Sequence, residues 1–182
     1  ICSGLVGSEM CIRDSSQDCP NGTMRCHEAV VALEAEGAHV DAVLNIQGDE
    51  PFVHPEQITQ LADMLRKPDA AVVTLAKSMP ADPEIQSPHR VKVVRNLKGR
   101  AQMFSRSPLP HGDGPWLQHV GLYGFTRTAL EALVQLSPTP LEQRERLEQL
   151  RWLDHGWRID VGTTTHLTPA VDTPEDLSLI HI

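Results

Sequence analysis

Val43-Leu44-Asn45-Ile46-Gln47-Gly48-Asp49-Glu50-Pro51 is a short apolar run ended by a glycine and followed at once by two acids and a proline. An apolar run bounded by turn formers predicts a buried strand, here with a polar loop at its carboxyl end. On the amino side, Asn21-Gly22-Thr23 opens a stretch in which Cys26, Ala29, Val30 and Leu33 recur at helical spacing until Gly37, which reads as a loop feeding a helix. On the carboxyl side, His54-Pro55-Glu56 starts a second helix with Ile58, Leu61 and Leu65 on one face and Pro68 beyond it, and residues 70–75 form a second apolar strand. Alternating strand and helix predicts an α/β fold with a doubly wound, mostly parallel sheet. Ligands of such sheets collect at the carboxyl ends of strands, where Asp49 lies.

Further along, residues 91–95 and 101–104 flank Asn96-Leu97-Lys98-Gly99 and predict an inserted antiparallel hairpin. Residues 120–125 read as a strand, and so do 157–161. Thr139-Pro140-Leu141-Glu142 is a capping-box helix start, and Leu147, Leu150 and Leu153 give that helix an apolar stripe up to Gly156. Its surface spacing pairs Glu142 with Arg146 and Arg144 with Glu148. Thr173-Pro174-Glu175-Asp176 starts another helix.

The chain has 182 residues, enough for one domain, and carries 16 Lys and Arg against 24 Asp and Glu, a net charge of -8. That balance disfavours a nucleic-acid backbone as partner. No apolar run reaches membrane-spanning length, so no membrane partner is expected. Cys2, Cys11, Cys19 and Cys26 contain no C-x-x-C pair, neither a disulfide framework nor a zinc spacing, and predict a reducing, cytoplasmic setting. Residues 1–15 contain Met10-Cys11-Ile12-Arg13-Asp14, and the chain ends in Leu177-Ser178-Leu179-Ile180-His181-Ile182. Both strings look like in-frame translations of one inverted sequencing-adapter repeat. Residues 1–15 and 177–182 are therefore expected to be foreign, with 16–176 an authentic partial domain.

Asp49, directly after a strand, and Asp172, just before a capped helix start, are the leading pair for chemistry. Two carboxylates from separate segments can hold a Mg2+ that also takes phosphate oxygens, although each residue also suits a turn or a cap. Asn21-Gly22-Thr23-Met24-Arg25 can offer backbone N–H groups and a guanidinium to a nucleotide, or can simply be an N-cap with a surface Arg. Lys92, Arg106 and His119 can converge on an acidic substrate. Glu148 and Gln149 are adjacent on a helix, so at most one is expected to face a buried site squarely. The histidines, including His54 and His166, show no metal-like i, i+4 spacing and read as surface or core residues.

In order, these segments resemble the 3-deoxy-manno-octulosonate (Kdo) cytidylyltransferases, the CMP-Kdo synthetases of Gram-negative bacteria. The resemblance runs from about Asp18 to Asp176 and rests on residues 21–25, 47–51, 91–94, 104–106, 119–123, 147–151 and 171–177. It implies a Rossmann-like nucleotidyltransferase sheet with its first βα unit missing, and transfer of CMP from CTP to the acidic sugar Kdo with Mg2+, in a homodimer. It further implies that Asp49 and Asp172 hold the metal and that Gly22, Thr23, Arg25, Gln47 and Gly48 meet the nucleotide. Lys92, Arg106, His119, Tyr123, Glu148 and Gln149 are implied to surround the sugar. Met24 departs from a usual acid, and Ala170 from a usual glycine. The family's phosphate loop is not recognisable, so the fragment itself is expected to be inactive. The alternatives are a cytidylyltransferase for another acidic sugar, such as a sialic acid, and an inert sugar-binding or dimerisation module.

Overall fold

The structure, a computed structural model, describes residues 2–3, 10–11, 14–48, 50–80 and 83–166. Asp49, Asp172, the Thr173 helix start and the 177–182 string lie outside them. Two short strands, β1 (Cys2–Ser3) and β2 (Met10–Cys11), pair antiparallel. The main sheet contains β3 (Ala42–Ile46), β4 (Val72–Met79), β5 (Lys92–Arg95), β6 (Ala101–Ser105), β7 (Trp116–Thr126) and β8 (Ile159–Thr164). Its order is β6-β5-β7-β4-β8, with β3 also paired to β7.

The α/β class and the hairpin are as expected, but the sheet is mixed where a mostly parallel one was predicted. Among the described residues, only β4 and β8 form a parallel pair, while β3, β4 and β5 are each antiparallel to β7. Strand-helix alternation fixes that β3 and β4 point the same way, and they do; it does not fix that they are neighbours. With eleven residues, β7 is long enough to line β4 along one edge and to meet β5 and then β3 along the other, which separates the strands that the pattern suggested would pair.

Helices cover both faces. On one, α2 (Pro55–Leu65) sets Leu61, Met64 and Leu65 against Val73, Leu75, Val120 and Leu122. On the other, Val30 of α1 (Gly22–Ala35), Leu130 and Leu133 of α3 (Arg127–Leu133) and Leu150 and Trp152 of α5 (Glu148–Asp154) pack on Val72, Ala76, Tyr123, Phe125 and Ile159. Alternate residues of β4 thus serve two cores, as a strand buried on both faces requires. The sequence reading holds no helix at α3, because Thr126 ends β7 and at once caps the helix by accepting from the Ala129 N–H at 3.2 Å.

Where one helix from Thr139 to Gly156 was expected, there are two: α4 (Pro140–Glu145) and α5, broken at Arg146. Arg146 is left-handed, with φ 54°, which no helix tolerates in its interior. The predicted surface pairs are replaced accordingly. Glu142 closes its capping box on Thr139 and also takes a bidentate bond from Arg151, at 2.7 and 2.5 Å. Glu148 is freed to face the interior.

At Gly124, an added Cβ would lie 2.7 Å from Val73 Cγ2 and 2.8 Å from Leu65 Cδ1. This is where α2 presses on the three strands. Gly124→Ala is expected to cost about 1–3 kcal/mol by overpacking, seen as a lower urea midpoint at unchanged slope.

Candidate functional site

The register of β4 on β7 slips between Thr74 and Leu75, so Thr74 opposes Tyr123 while Leu75 opposes Val120. Bulges of this kind re-aim side chains next to functional sites. Glu50, buried, accepts the Gly121 N–H exposed by the slip at 3.1 Å. A Cβ on residue 121 would come within 2.9 Å of the same carboxylate oxygen, so a side chain there would displace the carboxylate from this bond. Glu50 therefore anchors the 47–51 loop to the centre of the sheet and fixes the chain on the carboxyl side of Asp49. Gln47 and Gly48 are exposed at the end of β3.

Inside the bulge, Thr74 Oγ1 donates to Leu122 O at 2.7 Å and lies 2.9 Å from His119 Nε2. With the hydroxyl hydrogen given to the carbonyl, its lone pair is left to accept from an Nε2–H of His119. Desolvation holds its pKa down to about 3. His119 also meets the edge of Phe104 and tilts on Tyr123, with ring centroids 5.2 Å apart in each case.

The N-terminus of α1 is brought to the same region. Asn21 caps it by accepting from Met24 N–H at 2.9 Å. Gly22 sits so close to the buried Asn45 side chain that a Cβ would be 3.1 Å from its Nδ2. Buried Thr23 donates through Oγ1 to Glu148 Oε2 at 3.0 Å, across 125 residues of chain. Burial raises the Glu148 pKa to about 7, with the Thr23 bond the largest opposing influence. Tyr123 is buried beside it, its phenol pKa raised by desolvation and by Glu148, and its hydroxyl has no partner among the described residues. Glu148 is the member of the 148–149 pair that meets the α1 N-terminus; Gln149 is buried next to it. Thr23→Val, which keeps the shape and removes the donor, should push the Glu148 pKa above its present value, as read by carboxyl-carbon NMR titration.

The cations are placed differently from a simple converging set. Lys92, fully buried, donates its ammonium to Ser87 O and Arg106 O, and desolvation lowers its pKa, followed by the Arg106 charge. Arg106 spends its guanidinium on Glu145 O and Pro88 O, both at 2.9 Å, and on Arg146 O at 3.3 Å. Arg106 thus staples the end of the hairpin to the α4–α5 break, just before the helix that Glu148 begins, while Lys92 ties the Arg106 carbonyl to the chain before β5. Arg25 clasps the preceding loop through Ser15 Oγ, Ser16 O and Cys19 O.

One junction was invisible in the sequence. The rings of His54, just before α2, and His166, just after β8, stack with centroids 3.8 Å apart and planes 6° from parallel. His54 follows Asp49 by five residues, and His166 precedes Asp172 by six. The stack therefore joins the turn before α2 to the chain just after β8. Glu50, Thr74 and Asn45 were also missed; only the Gln-Gly-Asp-Glu-Pro string gave a signal for the first.

A cytidylyltransferase family model matches residues 6–159. The chain belongs to the cytidylyltransferase family. Among its curated relatives, the 3-deoxy-manno-octulosonate cytidylyltransferase of Rhodopseudomonas palustris (strain BisB5) is 46% identical over 164 residues, covering 88% of this chain and 66% of the relative. The protein of the same description from Parabacteroides distasonis is 40% identical over 171 residues, covering 86% and 67%. The solved CMP:2-keto-3-deoxy-manno-octonic acid synthetase complexed with CTP superposes with a TM-score of 0.79 at 35% identity, covering 90% of this chain and 67% of that one. The chain thus spans about two thirds of the length of the relatives it matches.

Proposed function

We infer that the complete protein transfers CMP from CTP to Kdo, giving CMP-Kdo and pyrophosphate for lipopolysaccharide synthesis, as a cytoplasmic homodimer. The observation that carries this reading is the Thr23–Glu148 hydrogen bond. It joins the helix start assigned to the nucleotide to the helix start assigned to the sugar, so two substrates bound at those places lie side by side. In this reading the anomeric hydroxyl of Kdo attacks the α-phosphorus of CTP and pyrophosphate leaves.

Gly22, Thr23, Arg25, Gln47 and Gly48 bind and orient the cytidine. Gly22 and Thr23 line the α1 N-terminus, whose N–H groups suit polar base edges and anions. Lys92, Arg106, His119, Tyr123, Glu148 and Gln149 frame the sugar. Lys92 and Arg106 do so by building the wall, His119 and Tyr123 by presenting a dry, neutral surface. Glu148, near half-protonation at neutral pH, offers a hydrogen bond to a sugar hydroxyl without adding a full negative charge beside an acid. Asp49 and Asp172 are hard oxygen donors of the kind Mg2+ takes. When bound there, Mg2+ neutralises phosphate charge. Holding the two anionic reactants in line is the larger share of what the protein contributes.

The test is pyrophosphate release by the chain extended with the native opening segment of its gene, given CTP, Mg2+ and a panel of acidic sugars. Turnover with Kdo well above that with sialic acid is expected. Preference for sialic acid, or no metal-linked CTP binding at all, would refute the assignment. The chain from 16 to 176 alone is expected to release none.

A further inference from the structure

His54, Glu56 and His166 form a cluster whose ligating atoms all lie within 4.8 Å of one another. His166 Nε2 lies 2.5 Å from Glu56 Oε2. His54 Nδ1 accepts the Glu56 N–H at a long 3.3 Å, while the reciprocal half of its cap, from His54 N–H to Gln57 Oε1, is shorter at 2.9 Å. The weak half can therefore be given up while α2 keeps its stronger cap. His166 is brought here by the parallel pairing of β8 with β4, and His54 by the turn into α2.

We propose that His54, Glu56 and His166 form a second cation site, selective for Zn2+ and similar borderline ions and distinct from the aspartate pair. Two imidazoles and one carboxylate are the donor set that such ions take, with a fourth position left to water. Mg2+, which wants oxygen donors and keeps its waters, is a poor match. On binding, Zn2+ takes the lone pair of His166 Nε2, with that ring's N–H on Nδ1, the Nδ1 lone pair of His54 and one Glu56 carboxylate oxygen, in place of the His166–Glu56 hydrogen bond, and no net proton is lost from a neutral ring. The ion then bridges the turn before α2 to the chain after β8, reinforcing the link that the ring stack and the His166–Glu56 bond make now.

The experiment is calorimetric titration of Zn2+ into the full 182-residue chain. One equivalent should bind, with affinity unchanged by millimolar Mg2+ and by Asp49→Asn or Asp172→Asn. His54→Asn, which retains a good N-cap, and His166→Gln, which retains a donor to Glu56, should each weaken binding at least tenfold. The chain also contains thiols, so Co2+ is added in parallel; its spectrum should lack the intense thiolate charge-transfer band. Ring-nitrogen NMR of the unsubstituted chain should show His54 and His166 shifting together on Zn2+ addition, which gives the answer even if a variant fails to fold. Equal affinity in His166→Gln, a thiolate band, loss of binding in the aspartate variants, or unshifted His54 and His166 nitrogens would each overturn the site.

Discussion

Asparagine in place of Asp49 or Asp172 is expected to lower kcat for CMP transfer by the complete protein about 10²–10³-fold, the scale of losing one preorganised electrostatic stabiliser of a transition state. Each change keeps the side-chain volume and removes one negative charge, so the loss should appear in kcat and in the Mg2+ concentration needed for half-maximal rate, while the unfolding midpoint stays put. On the proposal that the two carboxylates act on one ion, the double variant should lose little more than either single one. Multiplicative losses would mean that the acids work separately. Retention of more than half the parent rate in both single variants, at any Mg2+ concentration, would remove the metal reading altogether. His166→Ala gives an independent check, because it leaves both acids in the sequence and removes the ring stack that joins the turn before α2 to the chain just after β8. Its defect should fall mainly on the Mg2+ requirement.

What the sequence could show was local. The 42–46 strand, the helix after Asn21, the His54-Pro55 helix start and the hairpin closed by Gly99 each announce themselves within a dozen residues through periodicity, caps or a positive-φ glycine. The order of strands is not local. Nothing near Ala42 or Val72 reveals that residues 116–126 come between them, since that depends on the length of β7 and on burial of both its edges. The break at Arg146 was hidden for a related reason: the Leu147, Leu150, Leu153 stripe suits one continuous helix, and only the tertiary pull of Arg151 on Glu142 and of Arg106 on the Arg146 carbonyl favours the left-handed turn. The proposed site residues stand in the sequence as an ordered set of motifs, and nothing in those motifs reveals the bond between Thr23 and Glu148. Glu50 and the two stacked histidines act through contacts with residues 71 and 112 positions away, and no spacing rule reaches that far.

Glu148 is where stability and function should pull in opposite directions. Its carboxyl has a pKa of about 7 in the folded chain against an ordinary 4.5. Between those pH values the folded state binds more protons than the unfolded one, so unfolding becomes easier as pH rises. The group's contribution is fully present below pH 4.5 and is lost by the time pH has passed 7. The shift corresponds to at most about 3 kcal/mol, reduced by the partial exposure of the side chain. Glu148→Gln keeps an oxygen to accept from Thr23 and cannot ionise. The variant should therefore match the parent near pH 4.5, gain on it steadily to pH 7, and hold a constant advantage above, as measured by urea unfolding across that range. With Kdo, the same variant should lose affinity: an amide can still donate to one sugar hydroxyl, but it cannot accept through two oxygens or surrender a proton as the substrate settles. A raised KM for Kdo at unchanged KM for CTP is the expected kinetic signature. A variant no more stable than the parent at pH 8 would mean that Glu148 is better solvated than its contacts with Thr23 and Tyr123 imply. A raised KM for CTP instead would move Glu148 from the sugar to the nucleotide.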